Sequence, residues 1–233
     1  MREERLCIAL DFATRDEILS AARRFAPRAG WLKVGLEAFV AEGPRIVAEV
    51  AETGARVFLD LKLHDIPTTV ARAVAAAVRS GASMVNVHAF GGRAMLIAAR
   101  ESVGAAGPSV KLIAVTLLTS LDSRSLADLP VSGHPEGIVR RLATLAKECG
   151  LDGVVCSPRD VEEVKAAGGS GFLAVVPGIR PAGTEPGDQK RAATPAEALA
   201  QGADLLVVGR PVTAAPDPDA ALESLLAEIQ SVS

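Results

Sequence analysis

Among its apolar runs this chain carries the charged string Asp60-Leu-Lys62-Leu-His-Asp65-Ile-Pro-Thr-Thr69. Asp60 and Lys62 stand two residues apart in an apolar run, and the period of a strand sends both side chains to the same side. Asp65 follows within a turn. Pro67 sits where a helix would begin, its missing N–H being one that a first helical turn does not use. Lys33, in an earlier apolar run, completes an alternating set of two cations and two anions. As a structural ion network the set would do nothing further, and Asp-x-Lys alone occurs in unrelated strands. As a site it offers a proton donor and fixed charge of both signs beside a bound molecule.

Such side chains need a frame that repeats. Eight short apolar runs recur along the chain: Leu6–Phe12, Trp31–Leu36, Arg56–Lys62, Met84–Ala89, Lys111–Leu118, Gly153–Ser157, Phe172–Gly178 and Asp204–Arg210. Stretches of helical periodicity lie between them, among them Arg15–Phe25, Pro44–Thr53, Thr68–Ser80, Glu136–Cys149 and Ala196–Gln201. Gly54, Gly81, Gly150 and Gly202 close helical stretches ahead of the next strand. Strands apolar on both faces, alternating with helices, predict parallel β/α units. Eight units without a break in composition predict a single (β/α)8 barrel over residues 1–233, a length that suits this fold. No Gly-x-Gly-x-x-Gly follows the first strand, which argues against a dinucleotide-binding sheet.

Hydrophobic residues make up 49% of the chain and aromatics only 3%, with no Tyr, so the core must be Ala, Val, Leu and Ile. Net charge is −3 with Lys and Arg scattered, which excludes the basic footprint of a nucleic-acid binder. No apolar run reaches the length of a membrane span. Unpaired cysteines (Cys7, Cys149, Cys156) and an N-terminus without a leader pattern predict a reducing cytoplasm.

A barrel carries its chemistry at the C-terminal ends of its strands. Those ends read Asp11, Lys33, Asp60 with Lys62, Asn86 with His88, Thr116 with Thr119, Ser157, Pro177 with Arg180, and Arg210. Charged and hydroxyl groups thus gather at one edge. Two long turn-rich loops, Thr119–Pro135 and Gly178–Pro195, leave the same edge, and Pro211–Pro218 is expected to add a short helix there. His64 and His88 have no partner at metal-ligand spacing and are expected to be structural. His134, in a loop beside Pro135, is expected to face solvent.

The string Asp60–Thr69 resembles the signature of orotidine 5′-phosphate decarboxylases. The resemblance runs through Leu10-Asp11, Lys33-Val-Gly, Pro177-Gly-Ile-Arg180, Gly187-Asp-Gln189 and Val208-Gly-Arg210, in the family's order and over essentially the whole chain. It is similar to the compact bacterial form. The resemblance implies decarboxylation of orotidine 5′-phosphate to UMP and CO2 with no metal and no organic cofactor. It implies Lys62 as proton donor to C6 of the pyrimidine, Asp60 facing the substrate carboxylate, and Lys33 bridging Asp60 to the ribose. Asp11 would bind a ribose hydroxyl, and Thr119 or Ser120 the pyrimidine edge. Pro177, Arg180, Gln189, Gly209 and Arg210 would line the substrate, the last four at its phosphate. Asp65, Ile66 and Thr69 would reach the site of a partner in a homodimer. A metal-dependent aldolase of similar build, such as a hexulose-phosphate synthase, shares Asp-x-Lys-x-x-Asp and is the rival reading. Its chemistry needs extra acid ligands near the strand ends.

Overall fold

The computed structural model describes residues 2–107, 109–121, 123–126, 128, 130–181 and 193–232. Eight parallel strands close into a barrel in chain order. They are β1 (Glu3–Ala9), β2 (Ala29–Val34), β3 (Arg56–Leu63), β4 (Met84–His88), β5 (Lys111–Val115), β6 (Gly153–Val155), β7 (Leu173–Val176) and β8 (Leu205–Val208). The helices are α1 (Arg15–Phe25), α2 (Leu36–Glu42), α3 (Arg45–Ala51), α4 (Pro67–Arg79), α5 (Gly92–Ala106), α6 (Ser123–Leu126), α7 (Pro135–Glu148), α8 (Val161–Gly168), α9 (Pro195–Ala200), α10 (Arg210–Thr213) and α11 (Pro218–Gln230). The predicted (β/α)8 barrel is therefore the fold.

Local chemistry explains the element ends. Thr14 caps α1 in a capping box with Glu17, and Ile18, Leu19, Ala22 and Phe25 turn inward from one face. Gly54, Gly81, Gly150 and Gly202 all adopt the left-handed backbone that reverses the chain from helix to strand. Most apolar runs outlast their strands. β1 ends at Ala9 although the run extends to Phe12, and β5 ends at Val115 although its run extends to Leu118. Leu10 and Leu117 are buried beyond the last strand residues, and hydropathy does not separate burial from ladder pairing. The helix expected over Pro211–Pro218 is instead α10, which starts at Arg210 and ends at Thr213.

Two layers of packing follow from the strand period. One parity, including Leu6, Ile8, Leu32, Val57, Leu59 and Val85, packs outward under the helices. The other fills the barrel with Cys7, Ala9, Trp31, Phe58, Met84, Ile113, Val175, Leu205 and Val207. Burying a side chain such as Phe58 or Met84 there contributes about 1.5–3 kcal/mol. This plug is the floor on which the polar residues stand.

Candidate active site

The parity that buries Trp31, Phe58 and Met84 also turns Lys33, Asp60 and Asn86 inward, one layer nearer the C-terminal mouth. They form a connected set. Lys33 Nζ lies 2.9 Å from Asp11 Oδ1 and 3.7 Å from Asp60 Oδ2, and Lys62 Nζ lies 2.7 Å from Asp60 Oδ1. Asn86, fully buried, donates from Nδ2 to Asp60 Oδ1 at 2.6 Å and accepts the Lys62 N–H on Oδ1 at 2.7 Å.

The charges hold one another. Burial alone would raise the Asp60 carboxyl, but Lys33, Lys62 and hydrogen bonds from Lys62 and Asn86 outweigh it, holding Asp60 below the usual carboxylate range. Burial likewise opposes the Lys33 ammonium. Asp60 and Asp11 outweigh that too and hold Lys33 above its ordinary value. The site therefore presents a nearly buried carboxylate flanked by two lysines.

Simple alternation does not account for Lys62. β3 and β4 pair in register at Leu59 with Val85, but next at Leu63 with Val87, so β3 carries two more residues than its neighbour across this stretch. Lys62 absorbs the excess with φ of 52°, and among the described residues it alone, apart from glycines, has a positive φ. The Asp60–Lys62 contact is thus made across a bulge.

The acidic member that joins the cluster is Asp11 and not Asp65. Asp65 is exposed, its Oδ1 accepts the Ile66 N–H at 2.6 Å, and it makes no ion pair with a described residue. Ile66 precedes α4 with 67% of its surface in solvent, and Thr69 is exposed on the first turn.

The remaining predicted residues that the structure describes follow the ends of β5, β7 and β8. Thr119 and Ser120 follow β5 in a turn. Pro177 and Arg180 follow β7. The Arg180 N–H donates to Ala193 O at 3.0 Å, which ties together the two sides of the loop that leaves there. Gln189 falls outside the described residues. Gly209 and Arg210 follow β8 and open α10. A Cβ on Gly209 would lie 3.5 Å from Ala9 Cβ and 3.8 Å from Asp11 Oδ2, so the end of β8 abuts Asp11. Gly35 is closer still: a Cβ there would lie 2.9 Å from Lys33 Nζ and 3.0 Å from Asp11 Oδ1.

Other polar residues at the strand ends serve the frame. Thr116 Oγ1 donates to Val155 O at 2.9 Å, and Ser157 Oγ donates to Asp160 Oδ2 at 2.5 Å. His64 and His88 stack with ring centroids 5.5 Å apart, and burial, then His64 and Lys62, hold the His88 imidazole below its ordinary value. His134 is exposed at the start of α7, as expected. Sequence reasoning placed Asn86 at a strand end without giving it a role. Its parity with Met84 and its place beside Asp60 on the next strand were the available signals.

Comparison with known proteins agrees with this fold. The family model described as orotidine 5′-phosphate decarboxylase / HUMPS family matches residues 4–225. The orotidine 5′-phosphate decarboxylase of Anaeromyxobacter dehalogenans is 54% identical over 96% of this chain and 97% of its own length. That of Nitrosococcus oceani is 49% identical over the full length of both chains. The crystal structure of orotidine 5′-phosphate decarboxylase from Lactobacillus acidophilus superposes with a TM-score of 0.85 at 34% identity, covering 97% of this chain and 99% of that one. Similarity of this extent, over essentially the whole chain, makes it a member of the orotidine 5′-phosphate decarboxylase / HUMPS family.

Proposed function

We propose that this protein is a carboxy-lyase that converts orotidine 5′-phosphate to UMP and CO2, the last step of de novo pyrimidine synthesis. The observation that carries the reading is the nearly buried Asp60 carboxylate held between Lys62, at 2.7 Å, and Lys33, at 3.7 Å.

The reaction breaks the bond from C6 to the carboxylate and leaves the electron pair on C6. That pair lies in an sp2 orbital orthogonal to the ring π system, so the ring cannot spread it as an enolate would. Stabilisation has to come from fixed charge. The Lys62 ammonium lies beside C6, stabilises the developing carbanion, donates its proton there and is reprotonated from solvent. Asp60 faces the substrate carboxylate, and their repulsion is relieved as CO2 departs. Lys62 acts by transition-state stabilisation, its attraction strengthening as negative charge develops on C6.

Lys33 spans Asp60 and the ribose, where Asp11 binds a hydroxyl. Thr119 and Ser120 address the pyrimidine edge, with Pro177 beside the ring. Arg180, Gln189, Gly209 and Arg210 hold the phosphate, Gly209 through close backbone approach and Arg210 through a charge-assisted fork. Binding energy from this remote end supports the chemistry at C6.

The working unit is a homodimer with composite sites. Asp65 has an exposed carboxylate that its own cluster does not use, and Ile66 stands exposed beside it. On α2, which follows the adjacent strand, Leu36 and Val40 are 52% and 80% exposed. A second copy that covers these apolar residues and accepts Asp65, Ile66 and Thr69 into its mouth accounts for all of them. The cytoplasm is the compartment that suits the three free, buried cysteines.

No metal or organic cofactor takes part. Loss of orotidylate absorbance on incubation with the protein, unchanged after dialysis against EDTA, is the expected result. Activity that disappears with EDTA and returns with Mg2+ overturns the cofactor-free mechanism. A protein inert towards orotidylate but active as a metal-dependent aldolase is the rival barrel enzyme.

A further inference from the structure

Lys62 and Asp60 carry the chemistry proposed above, and neither is held by strand geometry alone. Lys62 lies in a bulge with a left-handed backbone, so its N–H cannot find an ordinary ladder partner on β4. That N–H goes instead to Asn86 Oδ1, at 2.7 Å. The same amide gives its Nδ2 hydrogen to Asp60 Oδ1, at 2.6 Å, the oxygen that also receives Lys62 Nζ. Asn86 is fully buried, on the side of β4 that faces the barrel interior, two residues above Met84.

Only one side chain of this size fits both tasks. The site needs an acceptor for a backbone N–H and, a short distance away in the same plane, a donor to a carboxylate. A primary amide supplies both. Asp supplies two acceptors, and a hydroxyl has a single oxygen and a shorter reach. The orientation of the amide is fixed by its partners, because the reversed group would set its oxygen against Asp60 and its NH2 against the Lys62 N–H.

We infer that Asn86 is a positioning residue of the reaction: its amide clamps the Asp60 carboxylate and the Lys62 backbone to each other, and so fixes where the Lys62 ammonium delivers its proton. The inference rests on the proposed decarboxylation. It adds a residue from a strand that the charged string on β3 does not include. A misplacement of the ammonium by about 1 Å is enough to slow a positioned proton transfer by roughly 100-fold.

The test uses the full chain and two variants, Asn86→Ala and Asn86→Asp, with folding checked by circular dichroism. Wild-type protein must first decarboxylate orotidine 5′-phosphate; if it does not, the functional reading fails and the question of Asn86 does not arise. With an active wild type, Asn86→Ala is expected to lower kcat by about 10- to 100-fold while KM changes by less than about threefold. Asn86→Asp keeps the acceptor for Lys62 N–H but sets a second carboxylate against Asp60. Such a pair takes up a shared proton as the pH falls, which restores a hydrogen bond to Asp60. The activity of Asn86→Asp relative to wild type should therefore rise towards acid pH. This second readout stands even if Asn86→Ala does not fold. A folded variant with near wild-type kcat, or an Asn86→Asp deficit that is the same at every pH, overturns the inference.

Discussion

Replacing Lys33 by Met keeps most of the side chain's apolar length and removes its charge, which isolates the ammonium's contribution. In the folded protein Lys33 lies 3.7 Å from Asp60 Oδ2, both side chains being nearly buried. At an effective dielectric constant of 20 that separation corresponds to an attraction of about 4–5 kcal/mol. The contact with Asp11, at 2.9 Å, adds less than its distance suggests, since the Asp11 side chain is 53% exposed. Against this stands the desolvation of Lys33, which the substitution relieves. The direction of the balance is set by the raised pKa of Lys33: pairing outweighs burial. A net loss of about 2–4 kcal/mol at neutral pH follows, below the full Coulomb figure because Lys62 and Asn86 still accompany Asp60. The loss must also depend on pH. Asp60 is held below its unfolded value, so its pairing contributes above the unfolded pKa and is lost as the pH falls through the folded one. Lys33, held above its unfolded value, contributes below the unfolded pKa and is lost as the pH rises through the folded one. In Lys33→Met, Asp60 takes up its proton at a higher pH than in wild type. The stability gap should therefore be largest near neutrality and narrow towards acid. Urea unfolding at fixed protein concentration, from pH 7 downward, measures it. Equal stability at pH 7, or a gap that does not narrow in acid, refutes the account of the charged cluster.

Gly35→Ala should lower activity by an order of magnitude or more with less than about 1 kcal/mol lost in urea unfolding, because the new Cβ meets only the movable tips of Lys33 and Asp11. Steady-state kinetics and unfolding on the same preparation check the split. Arg210→Ala should reduce kcat/KM by about 10- to 100-fold on orotidine 5′-phosphate and hardly at all on the nucleoside without phosphate. Equal losses on both substrates would assign Arg210 a structural role. Lys62→Ala and Asp65→Asn should each be nearly inactive, yet a mixture that exchanges subunits should recover roughly a quarter of wild-type sites. CO2 release, with mixed dimers verified by native mass spectrometry, measures this, and inactive mixed dimers would return Asp65 to its own subunit's site.

The barrel was legible because its signal is repeated: eight apolar runs, each followed by a helical stretch and several closed by a glycine that the structure shows in the left-handed region. The strand ends were less so. Leu10 and Leu117 are as apolar as any ladder residue and are buried against the helices just past the last strand residues, a distinction that tertiary packing makes. Lys33 and Asp60 were found through type and position, and the structure brings them together. The bulge at Lys62 was not visible, because the apolar alternation around it is intact and nothing in Leu-Lys-Leu announces an excess of two residues. Asn86 escaped for a related reason. A neutral amide has no charge to stand out, and its importance comes from partners on another strand.

The left-handed backbone at Lys62 sets this chain apart from one shaped for durability alone. A side chain with a Cβ in that conformation costs about 1–2 kcal/mol that glycine would not. A screen rewarding heat resistance by itself would feel that backbone pressure towards glycine at the one lysine whose ammonium the reaction needs, opposed only by the ion pair with Asp60. Engineers seeking a hardier enzyme should exempt residue 62 from such a screen and look to the helices. Gly104 in α5 and Gly137 in α7 have nothing within 4 Å of an added methyl, and alanine at each should raise stability by about 0.4–1 kcal/mol, measurable as an upward shift in Tm with turnover unchanged. Robustness and turnover are thus adjustable in separate places.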